Sequence, residues 1–336
     1  MSMISNGSAL IRQFRRLRPV TLLVALLIAL PQVGRCAESR SGWIGRSIPS
    51  AGREINFRVF VPENPPPGAP VVLYLPGSRQ AELHPSAGGA VEWLALARRE
   101  RFLLIVPGGV DSGAGTTWGG RRASRTGHAV GGLDSVSAAG LIASVVREWR
   151  ADPSRIYLAG HSDGAVKAAA LLLASQPRFA AAALFSLAMP SAMAAGSSGY
   201  RPCPLMLMYG TADPLVPLDR TVIHRSGETL MPYRESAGLW VVANRSEPAA
   251  PAVSLLPDQD PRDGCRIRRA EYRALKGGAP VLVYTVEGGG HAIPTRSHGA
   301  NASTAERRFE GRRCRDAEGV ELAWVFMKGF RLTGRP

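Results

Sequence analysis

Short, continuous apolar runs alternate along the chain with longer segments that carry a helical apolar stripe. The continuous runs are typical of strands buried on both faces of a parallel sheet, and they occupy residues 71–75, 102–106, 155–159, 181–185, 205–209 and 281–286. Alternation at 55–61 predicts an outer strand, and the helical stripes predict helices at 90–100, 135–150 and 165–175, with Asp134 as N-cap of the second. Strands that alternate with helices predict an α/β fold, a mostly parallel sheet with helices on both faces. Ligands then bind at the carboxyl ends of the strands.

One pentapeptide, G-H-S-D-G at 160–164, lies between a predicted buried strand and a predicted helix. In that context G-x-S-x-G is typical of a nucleophile elbow, a strained turn that exposes the Ser162 hydroxyl above the sheet. Gly160 and Gly164 fit this interpretation because the strand and the helix approach too closely for side chains. His161 lies inside the turn, where its side chain is expected to point elsewhere. The alternative is an ordinary Ser/Gly turn between two elements.

Two further polar residues follow predicted buried strands, Asp213 after 205–209 and His291 after 281–286 through three glycines. The chain order Ser, Asp, His is the one expected of α/β-hydrolases. A serine hydroxyl is a weak nucleophile, so it needs an imidazole base that a carboxylate orients. The alternatives are a surface-loop histidine for His291 and a turn residue for Asp213, with Asp219 as the reserve carboxylate. The chain also contains His84, His128, His224 and His298.

Two loops are predicted to complete the site. The loop that leaves strand 71–75 is in the place that commonly supplies one oxyanion-hole amide, here that of Ser78, and the Asp163 amide is expected to supply the second. The glycine-rich loop at 107–132 carries Trp118, which either lines the substrate cleft or plugs the loop's own small core.

Together these motifs resemble the secreted polyhydroxybutyrate depolymerase and feruloyl esterase family of α/β-hydrolases. The resemblance covers roughly 55–294, and it is carried by G-H-S-D-G-A at 160–165, G-T-A-D-P-L-V-P at 210–217, G-G-G-H at 288–291, the strand at 57–62 and D-P-S-R-I-Y at 152–157. It implies that Ser162, Asp213 and His291 form a catalytic triad, that the amides of Ser78 and Asp163 form the oxyanion hole, and that Trp118 lies near the cleft.

Three positions depart from the family pattern. The oxyanion loop has Pro76 before Gly77 where members usually have histidine, Ile293 replaces an aromatic residue, and Thr117 replaces a cysteine. These changes are compatible with the same chemistry, but they leave the substrate open and weaken any inference to polymer or aryl-ester binding.

The N-terminus has the pattern of a signal peptide at 1–36, with a basic segment up to Arg18, an apolar run at 20–30 and small residues before Ala37. An uncleaved anchor and a lipidated Cys36 are the alternatives. The remaining 37–336 is predicted to be a single α/β-hydrolase domain with an irregular insertion around 221–264 over the active face. The sequence therefore predicts a secreted or periplasmic protein without a stable membrane span after cleavage.

The net charge and the cysteines indicate which ligands and which covalent link to expect. The net charge of +15 includes five arginines and no acids before Ala37, so the exported chain carries +10. The basic residues are scattered and no nucleic-acid motif accompanies them, which favours a solvated surface over nucleic-acid binding. No cysteine cluster has metal-ligand spacing. Of the three cysteines left after export, Cys265 and Cys314 are the predicted disulfide, since it would staple the segment around His291, and Cys203 stays free.

The sequence thus predicts an exported serine esterase that hydrolyses polyhydroxybutyrate-, feruloyl- or short acyl-esters through an acyl-enzyme, without a metal or an organic cofactor. A peptidase or acyltransferase on the same triad, and a catalytically silent polymer-binding protein, are the alternatives. The oligomeric state stays open.

Overall fold

The central sheet and its helices are described from a computed structural model. The structure describes residues 41–50, 52–77, 89–108, 110–111, 116–117, 133–174, 176–187, 189–191, 199–216, 218–219, 221–223, 229–297 and 310–333. The predicted signal peptide, Ser78 and Trp118 lie outside these ranges. All the described residues belong to one compact unit, Ser39–Pro336.

Every strand and helix that the sequence predicts is present, and further strands and helices accompany them. The strands are β1 (Gly42–Ser50), β2 (Arg53–Val61), β3 (Val71–Leu75), β4 (Leu103–Pro107), β5 (Val110–Asp111), β6 (Thr116–Thr117), β7 (Ile156–His161), β8 (Ala181–Phe185), β9 (Leu205–Gly210), β10 (Val222–Ile223), β11 (Thr229–Leu230), β12 (Ala252–Leu255), β13 (Arg266–Tyr272) and β14 (Val281–Glu287). The longer helices are α1 (Ala90–Glu100), α2 (Ser135–Trp149), α3 (Asp163–Leu173), α4 (Tyr233–Ala243) and α5 (Gly319–Met327).

Ten strands form one sheet in the order β1-β2-β4-β3-β7-β8-β9-β14-β13-β12. The central strands from β4 to β14 pair in parallel. Antiparallel pairs, β1 with β2 and β12 with β13, extend the sheet at its two sides. The carboxyl ends of the central strands therefore lie along one edge, called here the C-terminal edge. The predicted α/β-hydrolase fold, with its mostly parallel sheet, is confirmed.

The core lies on both faces of this sheet. Alternate residues of β3 show the division: Leu73 packs in the cluster that also holds α2, α3 and α4, whereas Val72 packs in the cluster that holds α1 and α5. Every residue of β3 and of its parallel neighbours β4 and β7 is buried, as a strand covered by helices on both faces requires. Burial on both faces explains why these strands are continuous apolar runs in the sequence.

The segment predicted to be irregular, 221–264, contains regular structure. Helix α4 buries Tyr233, Ser236 and Trp240, while Leu239 and Val242 are partly or largely exposed. This mixture of a buried serine and exposed aliphatic residues obscured the helical stripe. Strand β12 is exposed along its whole length, so it has no alternation to recognise. Whether the segment lies over the active face stays a prediction.

Helix α2 begins with the predicted cap. The Ser137 backbone N–H donates to Asp134 Oδ1 at 2.7 Å, and the Asp134 N–H donates to Ser137 Oγ at 2.9 Å. This reciprocal capping box satisfies two N–H groups that the first helical turn leaves without partners. The structural role of Asp134 is confirmed.

The lead-in to β7 is fixed by one carboxylate. Asp152 Oδ1 accepts hydrogen bonds from the backbone and hydroxyl of Ser154, and Oδ2 accepts from Arg155 at 2.9 Å and Arg331 at 2.7 Å. Partial burial raises the pKa of Asp152, but the bonds from Ser154, Arg155 and Arg331 together lower it to about 2. The D-P-S-R segment thus sets the start of the strand that ends at Ser162.

The predicted disulfide between Cys265 and Cys314 is confirmed. It joins the residue before β13 to the segment that leads into α5, across a sequence separation of 49 that includes His291. Cys203 is free and buried, and burial raises the pKa of its thiol to about 12, which makes it an unreactive core residue.

Replacing Asp152 tests how the β7 lead-in is stabilised. We expect Asp152→Asn to lower Tm by about 2–4 °C at pH 7. The carboxyl has a pKa of about 2 when folded and about 3.9 when unfolded. Its stabilisation is therefore fully present above about pH 4 and is lost as pH falls through about 2. Thermal unfolding of both proteins from pH 7 to pH 2.5 should show their difference shrinking. A difference that stays constant over that range would contradict this account.

Candidate active site

Ser162 occupies a strained turn between β7 and α3. Its φ of 55° lies in the left-handed region that non-glycine residues rarely adopt. The Ser162 N–H donates to Phe185 O at 3.0 Å, and the Ser162 carbonyl accepts from Ala165 N at 2.8 Å. Backbone bonds to β8 and to α3 therefore hold this serine in a conformation that it would not adopt alone.

The two glycines of the pentapeptide are required by close approach. A Cβ on Gly164 would lie 2.0 Å from the carbonyl oxygen of Leu75, and one on Gly160 would lie 2.6 Å from that of Gly164. Both contacts are with backbone atoms, so a side chain could not be accommodated without moving β3 or α3. The sequence-based explanation of these glycines is confirmed.

The loop after β3 reaches the same turn. A Cβ on Gly77 would lie 3.2 Å from the Cβ of Ser162, so the backbone before Ser78 passes close to the serine. Ser78 itself lies outside the described residues. Asp163 begins α3, where the first backbone N–H groups have no acceptor within the helix. The assignment of both amides to an oxyanion hole stays a prediction.

Asp213 and His291 meet, as the sequence predicts. His291 Nδ1 lies 2.7 Å from Asp213 Oδ2, and the two side chains are only 4 % and 1 % exposed. Asp213 Oδ1 accepts from the backbone N–H groups of Leu215 at 2.8 Å and Val216 at 2.9 Å. Because the carboxylate is fixed by these donors, the ring is oriented as well. With the Nδ1 proton donated to Asp213, a neutral imidazole presents its lone pair at Nε2.

Glycines bring the loops after β9 and β14 together. A Cβ on Gly210 would lie 2.2 Å from Gly290 O, and the Ala212 N–H donates to Gly289 O at 2.8 Å. The His291 N–H donates to Glu310 O at 2.6 Å, which ties the loop to the segment before α5. The glycine run at 288–290 thus permits backbone-to-backbone packing beneath His291.

The reserve candidate, Asp219, takes no part in this arrangement. Its side chain is 63 % exposed and accepts a hydrogen bond from Arg234 at 2.9 Å. Asp213 is therefore the carboxylate that contacts His291. The other loop histidines of the sequence, His84, His128, His224 and His298, lie outside the described residues.

His161 has a role that the sequence analysis missed. Its side chain is buried below the turn, where the Nε2 atom lies 3.0 Å from the backbone carbonyl oxygen of His291. Burial, with a smaller contribution from nearby His291, lowers the pKa of His161 to about 3, so the ring is neutral. The only sequence signal was a polar residue at the last position of an otherwise apolar buried strand.

Within the described residues, the group with metal-ligand proximity is Asp263 with Cys265 and Cys314. The two sulfurs are joined in the disulfide, so neither is a thiolate ligand. This group therefore does not fit a metal ion. Across the same described part of the chain, none of the helices combines the length and apolarity needed to cross a membrane.

Comparisons with known proteins identify the family and the fold of the chain. The family model described as esterase PHB depolymerase matches residues 61–233, about half of the chain, which includes Ser162 and Asp213 and ends before His291. A search of the curated proteins gave no match.

Solved structures share the fold at low sequence identity. An acetyl xylan esterase from Aspergillus awamori superposes with a TM-score of 0.57 and 15% identity, covering 80% of this chain and 98% of that chain. A puromycin hydrolase gives a TM-score of 0.50 at 18% identity, covering 88% of this chain and 40% of that one.

The family match, over a strand–turn–helix elbow in an α/β-hydrolase sheet, identifies the protein as a carboxylic ester hydrolase that belongs to the polyhydroxybutyrate depolymerase esterase family.

Proposed function

We propose that the protein is an exported serine esterase in which Ser162 is the nucleophile, His291 the general base and Asp213 the residue that orients it. The observation that carries this proposal is the buried 2.7 Å contact between His291 Nδ1 and Asp213 Oδ2. It lies at the same edge of the sheet as the strained turn that holds Ser162. A histidine oriented by a carboxylate beside an elbow serine is the arrangement that acyl transfer requires.

The first half of the reaction forms the acyl-enzyme. His291 Nε2 accepts the proton of the Ser162 hydroxyl as Oγ attacks the ester carbonyl carbon, which gives a tetrahedral intermediate with a negative oxygen. Asp213 stabilises the imidazolium that forms. When the intermediate collapses, the ester C–O bond breaks and His291 gives its proton to the departing alcohol.

The second half releases the acid. Water loses a proton to His291 Nε2 as its oxygen attacks the acyl carbon, and Ser162 Oγ leaves with that proton. In both halves the negative oxygen needs N–H donors. The amide of Asp163, at the start of α3, and the amide of Ser78, after the close approach of Gly77 to Ser162, are the donors that the arrangement supports.

The position of Ile293 bears on the substrate. Its side chain is buried, and a Cβ on Gly319 at the start of α5 would lie 2.7 Å from it. An aliphatic side chain packed into the core does not offer an aromatic platform for a polymer chain or an aryl ester. The lack of an aromatic platform at Ile293 favours esters with small acyl groups over polyhydroxybutyrate and feruloyl esters.

Export is supported by the cysteines as well as by the N-terminal sequence. A disulfide between Cys265 and Cys314 persists in oxidising compartments and is rare in the cytosol. We place the mature protein, from about residue 37, outside the cytoplasm.

Removing the nucleophile tests the reaction itself. Ser162→Ala should lower hydrolysis of p-nitrophenyl acetate by at least about 10³-fold while Tm stays near that of the wild type, because the change removes only the hydroxyl. Wild-type turnover by Ser162→Ala would remove the assignment of the nucleophile.

The substrate preference is tested on the wild-type protein. Assays with acetyl, butyryl, feruloyl and hydroxybutyrate-oligomer esters should give the highest kcat/KM for the short acyl groups.

Asp213→Asn tests the carboxylate, and the chain offers a matched control. The amide cannot hold the imidazole in the required tautomer, so we expect kcat to fall by about 10³- to 10⁴-fold. Asp219→Asn, six positions further on, removes an exposed carboxylate bound to Arg234, and it should retain wild-type kcat. Equal losses in the two variants, or none in either, would show that Asp213 does not have this role.

A further inference from the structure

The backbone carbonyl of His291 accepts two buried side-chain hydrogen bonds. His161 Nε2 lies 3.0 Å from this oxygen, and Ser186 Oγ donates to it at 2.9 Å. Both donors are almost completely inaccessible to solvent, at 2 % and 3 % exposure. A buried polar group costs free energy unless it forms a hydrogen bond. The His161 ring, the Ser186 hydroxyl and the His291 carbonyl satisfy one another, so they form one buried hydrogen-bond network.

The two donors lie at the ends of β7 and β8, which β9 separates from β14 in the sheet. His161 is the last residue of β7, directly before Ser162, and Ser186 follows the last residue of β8. His291 follows β14, and β9 lies between β8 and β14 in the sheet. These bonds therefore connect the loop that carries His291 to the strand that ends at the Ser162 turn.

The chemistry assigns the direction of the His161 bond. A carbonyl oxygen can only accept, so the proton must be on Nε2. The pKa of about 3 keeps the ring neutral at any pH at which the protein would be assayed. With its proton donated to the His291 carbonyl, Nε2 of His161 cannot itself accept a proton.

Ser186 is held in an unusual conformation for this contact. Its φ of 48° is in the left-handed region. Its N–H donates to Met208 O at 2.8 Å, while its hydroxyl donates to His291 O. A non-glycine residue keeps such a conformation only when surrounding bonds fix it, and such strain tends to occur at functional sites.

We propose that His161 and Ser186 are positioning residues that set the backbone of His291, and therefore the approach of its ring to Ser162. The proposal rests on the proposed function of the triad. Asp213 fixes the orientation of the ring at Nδ1, but it does not fix the main chain from which the ring extends. The two hydrogen bonds to the carbonyl constrain that main chain together with the bond from the His291 N–H to Glu310 O. Misplacement of a catalytic group by about 1 Å can cost about 10²-fold in rate.

Two substitutions at His161 separate a hydrogen-bond role from a packing role. The amide nitrogen of glutamine can reach the place of Nε2, whereas that of asparagine reaches only the place of Nδ1. We expect His161→Asn to lower kcat for p-nitrophenyl acetate by about 10- to 100-fold at nearly unchanged KM. His161→Gln should recover to within about threefold of the wild type, as the rescue of a hydrogen bond requires.

Ser186 is tested against a matched serine. Ser246 is equally buried and its Oγ donates to a backbone carbonyl, that of Ala279, at 2.7 Å, but it makes this contact beside α4 rather than at His291. Both Ser186→Ala and Ser246→Ala should lower Tm. Only Ser186→Ala should lower kcat, by about three- to tenfold, as the loss of one hydrogen bond predicts. Each rate is normalised to the folded protein by titration of the reactive serine.

The outcomes separate this proposal from the one on which it rests. If Ser162→Ala keeps its activity, the triad is wrong and the positioning role fails with it. If Ser162→Ala is inactive but His161→Asn and Ser186→Ala keep wild-type kcat, only the positioning role is overturned. Equal losses in His161→Asn and His161→Gln would contradict the hydrogen bond from His161. Should the His161 variants fail to fold, the comparison of Ser186→Ala with Ser246→Ala decides the question.

Discussion

The contact between His291 and Asp213 depends on one constraint, the parallel pairing of β9 with β14. Parallel neighbours end at the same edge, so the residues that follow them can meet although 78 positions separate them in the sequence. β8 pairs with β9 on one side and with β7 on the other, which brings the Ser162 turn to the same edge. The sheet thus brings three loops that are distant in the sequence to one edge.

Close packing of backbone against backbone is the second condition, and glycine meets it. Gly164 lies against β3, and Gly210 lies against the glycines before His291, where a Cβ would be 2.0 Å and 2.2 Å from carbonyl oxygens. The packing of Gly164 against β3 and the hydrogen bond from Ser162 to Phe185 hold the strained Ser162 conformation in place. The conformational strain at the site is offset by packing elsewhere in the sheet.

Much of this could be predicted because buried parallel strands and an elbow leave local signals. The strands next to Ser162, Asp213 and His291 are continuous apolar runs, and Asp134 has the spacing of a cap. Helix α4 could not be predicted, since its buried serine and exposed aliphatic residues break the helical periodicity. Strand β12 could not be predicted either, because all its residues are exposed. The hydrogen bonds from His161 and Ser186 to a backbone carbonyl could not be predicted either. Every residue has a carbonyl, so it leaves no sequence signal, and the partners are distant along the chain.

The central claim is that one hydroxyl, that of Ser162, is the nucleophile. The most direct measurement is peptide mapping by mass spectrometry after the mature protein reacts with a fluorophosphonate, which phosphonylates an activated serine far faster than an ordinary one. We expect a single adduct, on Ser162, formed at the rate at which esterase activity is lost. An adduct on another serine, or complete inactivation without modification of Ser162, would contradict the account.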